Sequence, residues 1–296
     1  MKEKKKETEL QEFNRYSDNA FPIGMYTVTI DGIEPEGRGY LDLHWHEELQ
    51  YTMMLSGSCT MQVNGEDYLI GEGQAIFINR NLLHVTKELS PDGKYFSINF
   101  PDKLLGYFVG SRMELDYVRP YTSNLLFPVM VFDKSTEWHG RILENLMKLR
   151  DLLLKKEGMY QYRAAMLLTE VWYEEISHVG AIRQPSAAYI RRQDRMQKML
   201  TFIHEHYAED IFVEDIAASA GISGTECARC FRETIHESPN KYLIKYRISR
   251  AVEILSSTDM QVTEVAFECG FNDTSHFIDC FRKRIGKTPF EYRNKR

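Results

Sequence analysis

The pattern of hydrophobic and polar positions divides the chain into a strand-rich part, a helical middle and a helical end. From about residue 21 to residue 100, short runs rich in β-branched and aromatic residues alternate with Gly, Asn and Asp. Such runs are typical of β-strands, and they predict strands at residues 26–30, 50–55, 59–63, 68–70 and 75–78. Asn64-Gly65 joins two of the runs and is a strong signal for a hairpin turn. Short, regularly spaced strands of this kind close into a barrel or a two-sheet roll.

Two segments in the middle of the chain have a helical rhythm. In residues 137–157, four apolar positions recur at gaps of four, three and four: Ile142, Leu146, Leu149 and Leu153. Residues 159–179 repeat the rhythm with Tyr162, Met166, Thr169, Tyr173 and Ile176. Gly158 separates the segments, so they predict an antiparallel helical hairpin. One apolar stripe can pack on the barrel while the other pairs with a second chain; packing within one subunit is the alternative.

The last hundred residues contain the same sequence pattern twice. Two matching residues lie 49 positions apart in the two copies, Ala217 and Gly221 in the first, Ala266 and Gly270 in the second. Three more lie 50 positions apart, Phe231, Pro239 and Tyr242 in the first, Phe281, Pro289 and Tyr292 in the second. The small Ala lets two helix backbones approach closely, and the Gly ends the first helix at positive φ. Ser223 and Asn272 are placed to cap the helix that follows. Each copy predicts a helix-turn-helix unit, at about residues 213–234 and 262–285.

This repeat resembles the DNA-binding domain of a known family. Residues 195–294 resemble the DNA-binding domain of AraC/XylS-type transcription regulators along their whole length, including the phrases at 246–251 and 286–293. The resemblance implies seven helices and a central helix near 239–256, which would hold two recognition helices in successive major grooves about 34 Å apart. It also implies that the helical hairpin forms a homodimer interface, for which the candidate residues are Ile142, Leu146, Leu149 and Leu153.

Base contacts are expected from exposed residues near the start of each recognition helix. In the first unit these are Thr225, Glu226, Ala228 and Arg229, with Arg232 near phosphate. In the second unit they are Thr274, Ser275, His276 and Asp279, with Arg282 and Lys283 near phosphate. Asp279 departs from the family, where this position is commonly basic. A carboxylate there can accept from cytosine or repel phosphate, so the second unit should contribute little base affinity.

Residues 44–57 and 73–84 resemble the two cupin motifs, with Gln50 in place of the Glu of the first motif. His44 and His46 are two apart on a predicted strand, so both rings should point into the barrel and meet His84. Three imidazoles could hold a divalent metal. Gln50 removes the anionic ligand, however, and we expect no cofactor. Hydrogen bonding to a small ligand and a structural role remain as alternatives, and the candidate ligand-binding residues are His44, Trp45, His46, Gln50 and His84. Trp45 could stack on a sugar or pack within the barrel.

The net charge of −6 over 296 residues is unevenly distributed. Residues 191–296 hold 17 Lys or Arg against 16 Asp or Glu, whereas the first 190 residues hold 20 against 27. DNA binding needs local basic groups rather than a basic total, and a near-neutral domain favours a dimer. Five cysteines and the absence of an apolar segment behind the charged start predict a cytoplasmic protein without signal peptide or membrane span. Cys227 and Cys230 are expected to pack in the core rather than to bind zinc.

The expected architecture has two domains. A solvated tail at 1–20 precedes an all-β cupin-like ligand-sensing barrel at 21–135, a dimerising helical hairpin at 136–180, a linker at 181–194 and an all-α DNA-binding domain at 195–294. The expected function is a sequence-specific transcription regulator, an activator controlled by a small molecule such as a sugar. Its partners would be double-stranded promoter DNA, a second copy and RNA polymerase. Two alternatives stay open: a metal-dependent cupin enzyme tethered to a DNA-binding domain, and a dimeric regulator that needs no ligand.

Overall fold

The computed structural model describes residues 12, 14, 16–18, 20–35, 43–124, 126–127, 129–180, 186–235 and 237–293. The chain forms two compact units that divide between Ile190 and Arg191, called here the N-terminal and the C-terminal unit. Most of the predicted tail at 1–20 and the first five residues of the predicted linker lie outside the described residues.

The described part of the N-terminal unit contains two antiparallel sheets that do not close into a single barrel, so the all-β cupin-like prediction is confirmed in its two-sheet form. The strands are β1 (Gly24–Thr29), β2 (Gly32–Glu34), β3 (Leu49–Ser56), β4 (Ser58–Val63), β5 (Glu66–Gly71), β6 (Ala75–Ile78), β7 (His84–Leu89), β8 (Lys94–Phe100) and β9 (Met130–Phe132). The larger sheet has the order β2-β1-β8-β3-β6-β9 and the smaller one the order β5-β4-β7. Strands β3, β6 and β8 bury nearly every residue because each has a neighbour on both sides and is covered on both faces.

The turn between β4 and β5 has the geometry that the sequence predicts. Asn64 and Gly65 have φ angles of 47° and 91°, and the flanking Val63 and Glu66 pair across the hairpin. Two consecutive residues with positive φ define the type I′ turn, whose twist matches the twist of antiparallel strands. This turn fixes the register of the smaller sheet.

Two long helices follow the strands. Between β8 and β9 the chain forms a short 3-10 turn (Asp102–Leu104), a π-helical segment (Met113–Val118) and α1 (Arg119–Thr122); α2 (Glu137–Lys155) and α3 (Tyr160–His178) come next. The candidate dimerisation residues of α2 are all buried in one core with the larger sheet and α3: Ile142, Leu146, Leu149 and Leu153. Because these side chains are enclosed by their own subunit, the prediction that they face a second chain is wrong.

The exposed apolar side chains of this hairpin lie on α3 instead. Tyr162, Met166 and Tyr173 are 74%, 61% and 63% exposed. These positions are four and seven residues apart, so they form one stripe along the helix. The two rhythms in the sequence therefore have different partners, since the α2 stripe packs on the sheet and the α3 stripe faces outward.

The described part of the C-terminal unit contains seven helices, as the family resemblance implies. They are α4 (Ala187–His206), which begins just before the unit boundary, α5 (Val213–Ser219), α6 (Gly224–Ile235), α7 (Pro239–Ser257), α8 (Val262–Glu268), α9 (Thr274–Ile285) and α10 (Pro289–Arg293). The central helix α7 begins behind Ser238, whose side chain accepts from the backbone N–H of Lys241. None of the helices in the described ranges is both long and apolar enough to cross a bilayer.

Candidate DNA-binding units and ligand cavity

The turn of each helix-turn-helix unit contains a glycine whose backbone is in the left-handed conformation. Gly221 follows α5 with φ +65°, and Gly270 follows α8 with φ +77°. At Gly270 a second constraint is added, because a Cβ would lie 2.5 Å from the carbonyl oxygen of Tyr207. Both glycines are therefore required by the backbone, and Gly270 also by a close approach of the chain between α4 and α5.

The two recognition helices are α6 and α9, and each starts with a side-chain cap. Ser223 accepts from the backbone N–H of Glu226 at 3.3 Å, as predicted. In the second unit the cap is Asp273, which accepts from His276 N at 2.6 Å, and the prediction of Asn272 is wrong. The offset between the two copies grows from 49 to 50 positions just after the second turn, so the residue that matches Ser223 is Asp273 rather than Asn272.

The candidate base contacts of α6 lie on its outer face. Thr225, Arg229 and Arg232 are exposed and Glu226 and Ala228 half-buried, while Cys227, Cys230 and Phe231 are buried on the other side of the helix.

The charges on this face are paired with one another. The Nε and Nη2 atoms of Arg229 donate to the two carboxylate oxygens of Glu226 at 3.0 and 2.7 Å. Arg195 of α4 reaches the same carboxylate at 3.4 Å, and Arg192 reaches Glu233 at 2.7 Å. The hydrogen bonds from Arg229 keep the pKa of Glu226 below its usual value. The guanidinium is thus held in a defined orientation before any contact with DNA.

The candidate contacts of α9 are arranged in a similar way. Ser275, His276, Asp279, Arg282 and Lys283 are exposed, and Thr274 is half-buried. Asp279 pairs with Arg282 at 3.2 Å. The carboxylate that departs from the family pattern is therefore partly neutralised by the next turn of its own helix.

Cys227 and Cys230 belong to the core of the first unit. Both thiols are buried, and burial raises the pKa of Cys227 to about 11. A neutral, buried thiol packs as a small apolar side chain, in line with the sequence-based expectation.

The N-terminal unit contains a small, partly open cavity of about 40 Å³ that is lined by residues of both sheets. Its lining includes three of the five candidate ligand-binding residues, His44, Gln50 and His84. His46 lies behind this lining, against Gln50. Trp45 is not among the lining residues, so the structure does not support its role as a stacking wall.

The three histidines come together, but not on the predicted strand. His44 lies in an irregular segment and forms an isolated antiparallel bridge with His84, with N–H···O distances of 3.1 and 2.9 Å. The ring centroid of His84 is 4.3 Å from that of His44 and 4.9 Å from that of His46. One ring nitrogen of each histidine lies within 4.8 Å of the others. The geometry is that of a possible metal-ligand cluster.

Hydrogen bonds fix the orientation of two of these rings. The Nδ1 atom of His84 is 2.8 Å from the carbonyl oxygen of Leu82, which makes it the protonated nitrogen. Its Nε2 atom is buried and has no hydrogen-bond partner among the described residues. Burial, together with the neighbouring His44 and His46, lowers the pKa of His84 well below its usual value. His84 is therefore a neutral imidazole with a free lone pair on Nε2.

A polar chain continues from His46 into the larger sheet. His46 Nδ1 is 3.1 Å from the carbonyl oxygen of Glu48, and Nε2 is 2.9 Å from Gln50 Oε1. Gln50 donates to Thr52 at 2.8 Å, and the Thr52 hydroxyl is 2.6 Å from that of Ser97. The side chain at the position of the cupin Glu is thus a neutral amide inside a hydrogen-bond network.

Sequence reasoning missed several residues that line the cavity: Glu12, Tyr26, Thr86, Tyr95, Ser97 and Asn99. A signal existed for two of them, because Ser97 and Asn99 alternate with Phe96, Ile98 and Phe100 along β8, as polar residues facing an enclosed site would. Glu12 had no such signal. Its carboxylate lies 3.2 Å from His44 Nε2, a contact between segments that only the folded chain brings together.

Two family models match this sequence. The one described as a helix-turn-helix domain matches residues 216–295, and the one described as a cupin domain matches residues 32–92. The HTH-type transcriptional regulator YdeC of Bacillus subtilis is 30% identical over 285 residues, which cover 96% of each chain. The HTH-type transcriptional activator RhaS of Escherichia fergusonii is 27% identical over 290 residues, covering 95% of this chain and 97% of its own length.

Solved structures are similar to this chain as well. The DNA-binding domain of AdpA in complex with a target DNA is 32% identical and covers 34% of this chain and 91% of its own, with a TM-score of 0.33. ToxT from Vibrio cholerae O395 is 12% identical and covers 93% of this chain, with a TM-score of 0.44. The full-length relatives are transcription regulators by name, which places this protein among DNA-binding regulators rather than enzymes. The chain belongs to the AraC-type helix-turn-helix transcriptional regulators and carries a cupin domain ahead of its two DNA-binding units.

Proposed function

We propose that this regulator binds its promoter under the control of a small effector held in the cavity of the N-terminal unit. The observation that carries the proposal is a pair of buried acceptors on the lining, His84 Nε2 and Asn99 Oδ1, that lack partners among the described residues. Leaving a buried polar atom unpaired costs about 1–3 kcal/mol, and native proteins rarely tolerate it without a reason. Since both atoms are acceptors, the effector should bring hydrogen-bond donors or positive charge.

The size of the cavity restricts the effector. Pockets for organic ligands usually measure about 300–1,000 Å³, whereas this partly open cavity measures about 40 Å³. A sugar, the candidate suggested by the sequence, would fit only if the cavity widened. A smaller polar species needs no such widening.

The regulator is proposed to act as a homodimer through α3. Three large exposed apolar side chains, Tyr162, Met166 and Tyr173, lie in one stripe rather than singly. In a two-fold interface each contact occurs twice, because residue i of one chain meets residue j of the other and residue j of the first meets residue i of the second. Two exposed charges flank the stripe on one side, Arg163 and Glu170, and an antiparallel pairing of two α3 helices would bring Arg163 of one copy to Glu170 of the other.

Activation, rather than repression, is the proposed outcome. RhaS, which is similar over almost its full length, is named a transcriptional activator. An activator bound at a promoter would act through RNA polymerase, in the cytoplasm where the DNA lies. The effector has to bind one conformational state of the protein more tightly than the other, because equal affinity for both states would not alter DNA binding.

The test is DNA binding by the full chain with and without effector. The DNA upstream of its own gene and of neighbouring genes supplies the duplexes, and a thermal-shift screen supplies the candidate effectors. We expect the effector to change affinity for the specific duplex, and His84→Ala to bind DNA as the parent does without responding. His178→Ala, which changes a histidine on α3 away from the cavity, is the matched control. A full response from His84→Ala would refute the cavity as the effector site, and DNA binding indifferent to every effector would favour the ligand-independent alternative.

A further inference from the structure

We propose that Arg247, in the middle of α7, positions the two recognition helices relative to each other and thereby sets the spacing of the two DNA segments that one chain binds. The helix α7 joins the two helix-turn-helix units. A helix of this kind fixes the distance between its ends, but the rotation of each unit about its end depends on side-chain contacts. Arg247 contacts both units and is therefore suited to hold that rotation.

The guanidinium of Arg247 is bonded to the chain that leads into the first unit. Its Nε atom donates to the carbonyl oxygen of Tyr207 and its Nη2 atom to that of Glu209, both at 2.7 Å. These carbonyls lie in the turn between α4 and α5. Because the donors of a guanidinium have fixed relative directions, two simultaneous bonds fix both the position and the orientation of that turn against α7.

The same guanidinium contacts the second unit. Its Cζ atom lies 5.8 Å from the ring centroid of Phe271, within the range of a cation–π interaction. Phe271 follows the turn glycine Gly270 and is buried in one core with Phe277 and Phe281 of the recognition helix α9. Arg247 therefore connects the entry of the first unit to a side chain on which α9 packs.

The backbones at this junction are in close contact. A Cβ at Gly270 would lie 2.5 Å from the Tyr207 carbonyl oxygen and 3.0 Å from Arg247 Nε. The guanidinium is half-buried, and burial lowers the pKa of Arg247 below its usual value. A charged group in such a place is unfavourable unless it is hydrogen-bonded. Rotation of one unit against the other would break the two carbonyl bonds and leave this charge without them, so the junction favours one arrangement.

The junction affects DNA binding because both units bind the same duplex. The second of two linked contacts is strongest when the linkage already holds the unit at the position of its site. One inserted base pair moves that site by about 3.4 Å along the duplex and rotates it by about 35°. A rigid junction should therefore discriminate against a changed spacing, whereas a loosened junction should discriminate less and bind the native spacing more weakly.

The test compares the full chain with Arg247→Lys, which keeps the charge but loses the planar fork, and with Arg247→Gln. The matched control is Arg192→Lys, because the 2.7 Å ion pair of Arg192 with Glu233 joins α4 to α6 within the first unit. Urea unfolding shows that each variant is folded. Fluorescence anisotropy measures binding to DNA upstream of the chain's own gene, in which a footprint locates the two protected segments, and to the same duplex with one base pair inserted between them.

A second readout needs no DNA. Pulsed electron paramagnetic resonance measures the distance between the recognition helices, with spin labels at Thr225→Cys on α6 and Ser275→Cys on α9, both exposed positions. Cys280→Ser removes the half-buried native cysteine, and the other four cysteines are buried. The width of the distance distribution reports how firmly the two units are held.

We expect a narrow distribution for the parent and Arg192→Lys, and a clearly broader one for both Arg247 variants. The inserted base pair should weaken binding by the parent and by Arg192→Lys at least about tenfold, and binding by the Arg247 variants by less. A broad distribution in the parent would overturn the role of Arg247. So would Arg247 variants that keep the parent's width and its loss on insertion, even if they bind both duplexes more weakly. A chain that prefers no duplex would contradict the proposed function, and the distance distributions would still decide the role of Arg247.

Discussion

The hydroxyl of Tyr51 on β3 donates to the carboxyl group of Glu175 on α3, at a point where neither side chain is reached by solvent. The neighbours of Tyr51 on the strand, Gln50 and Thr52, belong to the polar chain behind the cavity. Since side chains alternate along a strand, Gln50 and Thr52 point to the cavity from one face of β3, and Tyr51 points to Glu175 from the other. A displacement of β3 on effector binding would therefore be transmitted through this hydrogen bond to α3, which carries the proposed dimer stripe.

Glu175 should make the stability of the protein depend on pH. Burial raises its pKa well above the usual value, so the folded state favours the protonated carboxyl. The resulting stability is fully present below the pKa of the unfolded chain, near 4.3, and is lost as the pH rises through the raised pKa of the folded state. Glu175→Gln should therefore match the parent at about pH 3.5 and exceed it by at least about 1 kcal/mol at about pH 8 in the free energy of urea unfolding. Glu170→Gln, an exposed change on the same helix, is the control. A Glu175→Gln variant with the parent's pH dependence would show that this carboxyl is not the cause.

The two turn glycines should differ in their tolerance of alanine. Gly221→Ala introduces a Cβ at positive φ but into open space, whereas Gly270→Ala also places the Cβ 2.5 Å from the Tyr207 carbonyl oxygen. The first change should lower the free energy of unfolding by about 1–2 kcal/mol, and the second by clearly more. Urea unfolding of both variants measures this, and equal losses would mean that the contact at Tyr207 relaxes without strain.

Arg229 should contribute to sequence discrimination. Glu226 fixes its guanidinium on the exposed face of α6, so less conformational entropy is lost when it meets a base edge. Arg229→Ala should weaken binding to the specific duplex by about 1–3 kcal/mol and relax preference at one base pair. Arg232→Ala, on the same helix, should weaken specific and random duplexes alike if it contacts only phosphate. Fluorescence anisotropy with both duplexes distinguishes them, and equal losses on both for Arg229→Ala would make it a phosphate contact.

The exposed stripe of α3 should control assembly. Light scattering at micromolar concentration is expected to find the parent dimeric and the double variant Met166→Glu, Tyr173→Glu monomeric and folded. Leu154→Glu, an exposed change on α2, should leave the dimer intact. Leu146→Glu should unfold the protein rather than dissociate it, because that side chain is buried within the subunit. A monomeric parent would remove α3 as an interface.

Local signals predicted much of the fold, and long-range contacts account for most of what was missed. Gly221, Gly270 and the Asn64-Gly65 turn were identified because each needs a backbone conformation that few residues adopt. The burial of Leu146 was assigned to the wrong partner, since periodicity reveals an apolar stripe but not the surface that covers it. Glu12 joins the histidine cluster across a sequence separation that no local pattern reports.

The most direct test of a DNA-reading regulator with two recognition helices is a hydroxyl-radical footprint of the full chain on DNA upstream of its own gene. We expect, for each bound chain, two protected segments whose centres are about 10 base pairs apart, one major groove for each unit. Arg229→Ala should weaken the protection of one segment and leave that of the other unchanged. Protection without a preferred site, or equal affinity for the upstream duplex and for random DNA, would show that the chain does not read a specific DNA sequence with two recognition helices.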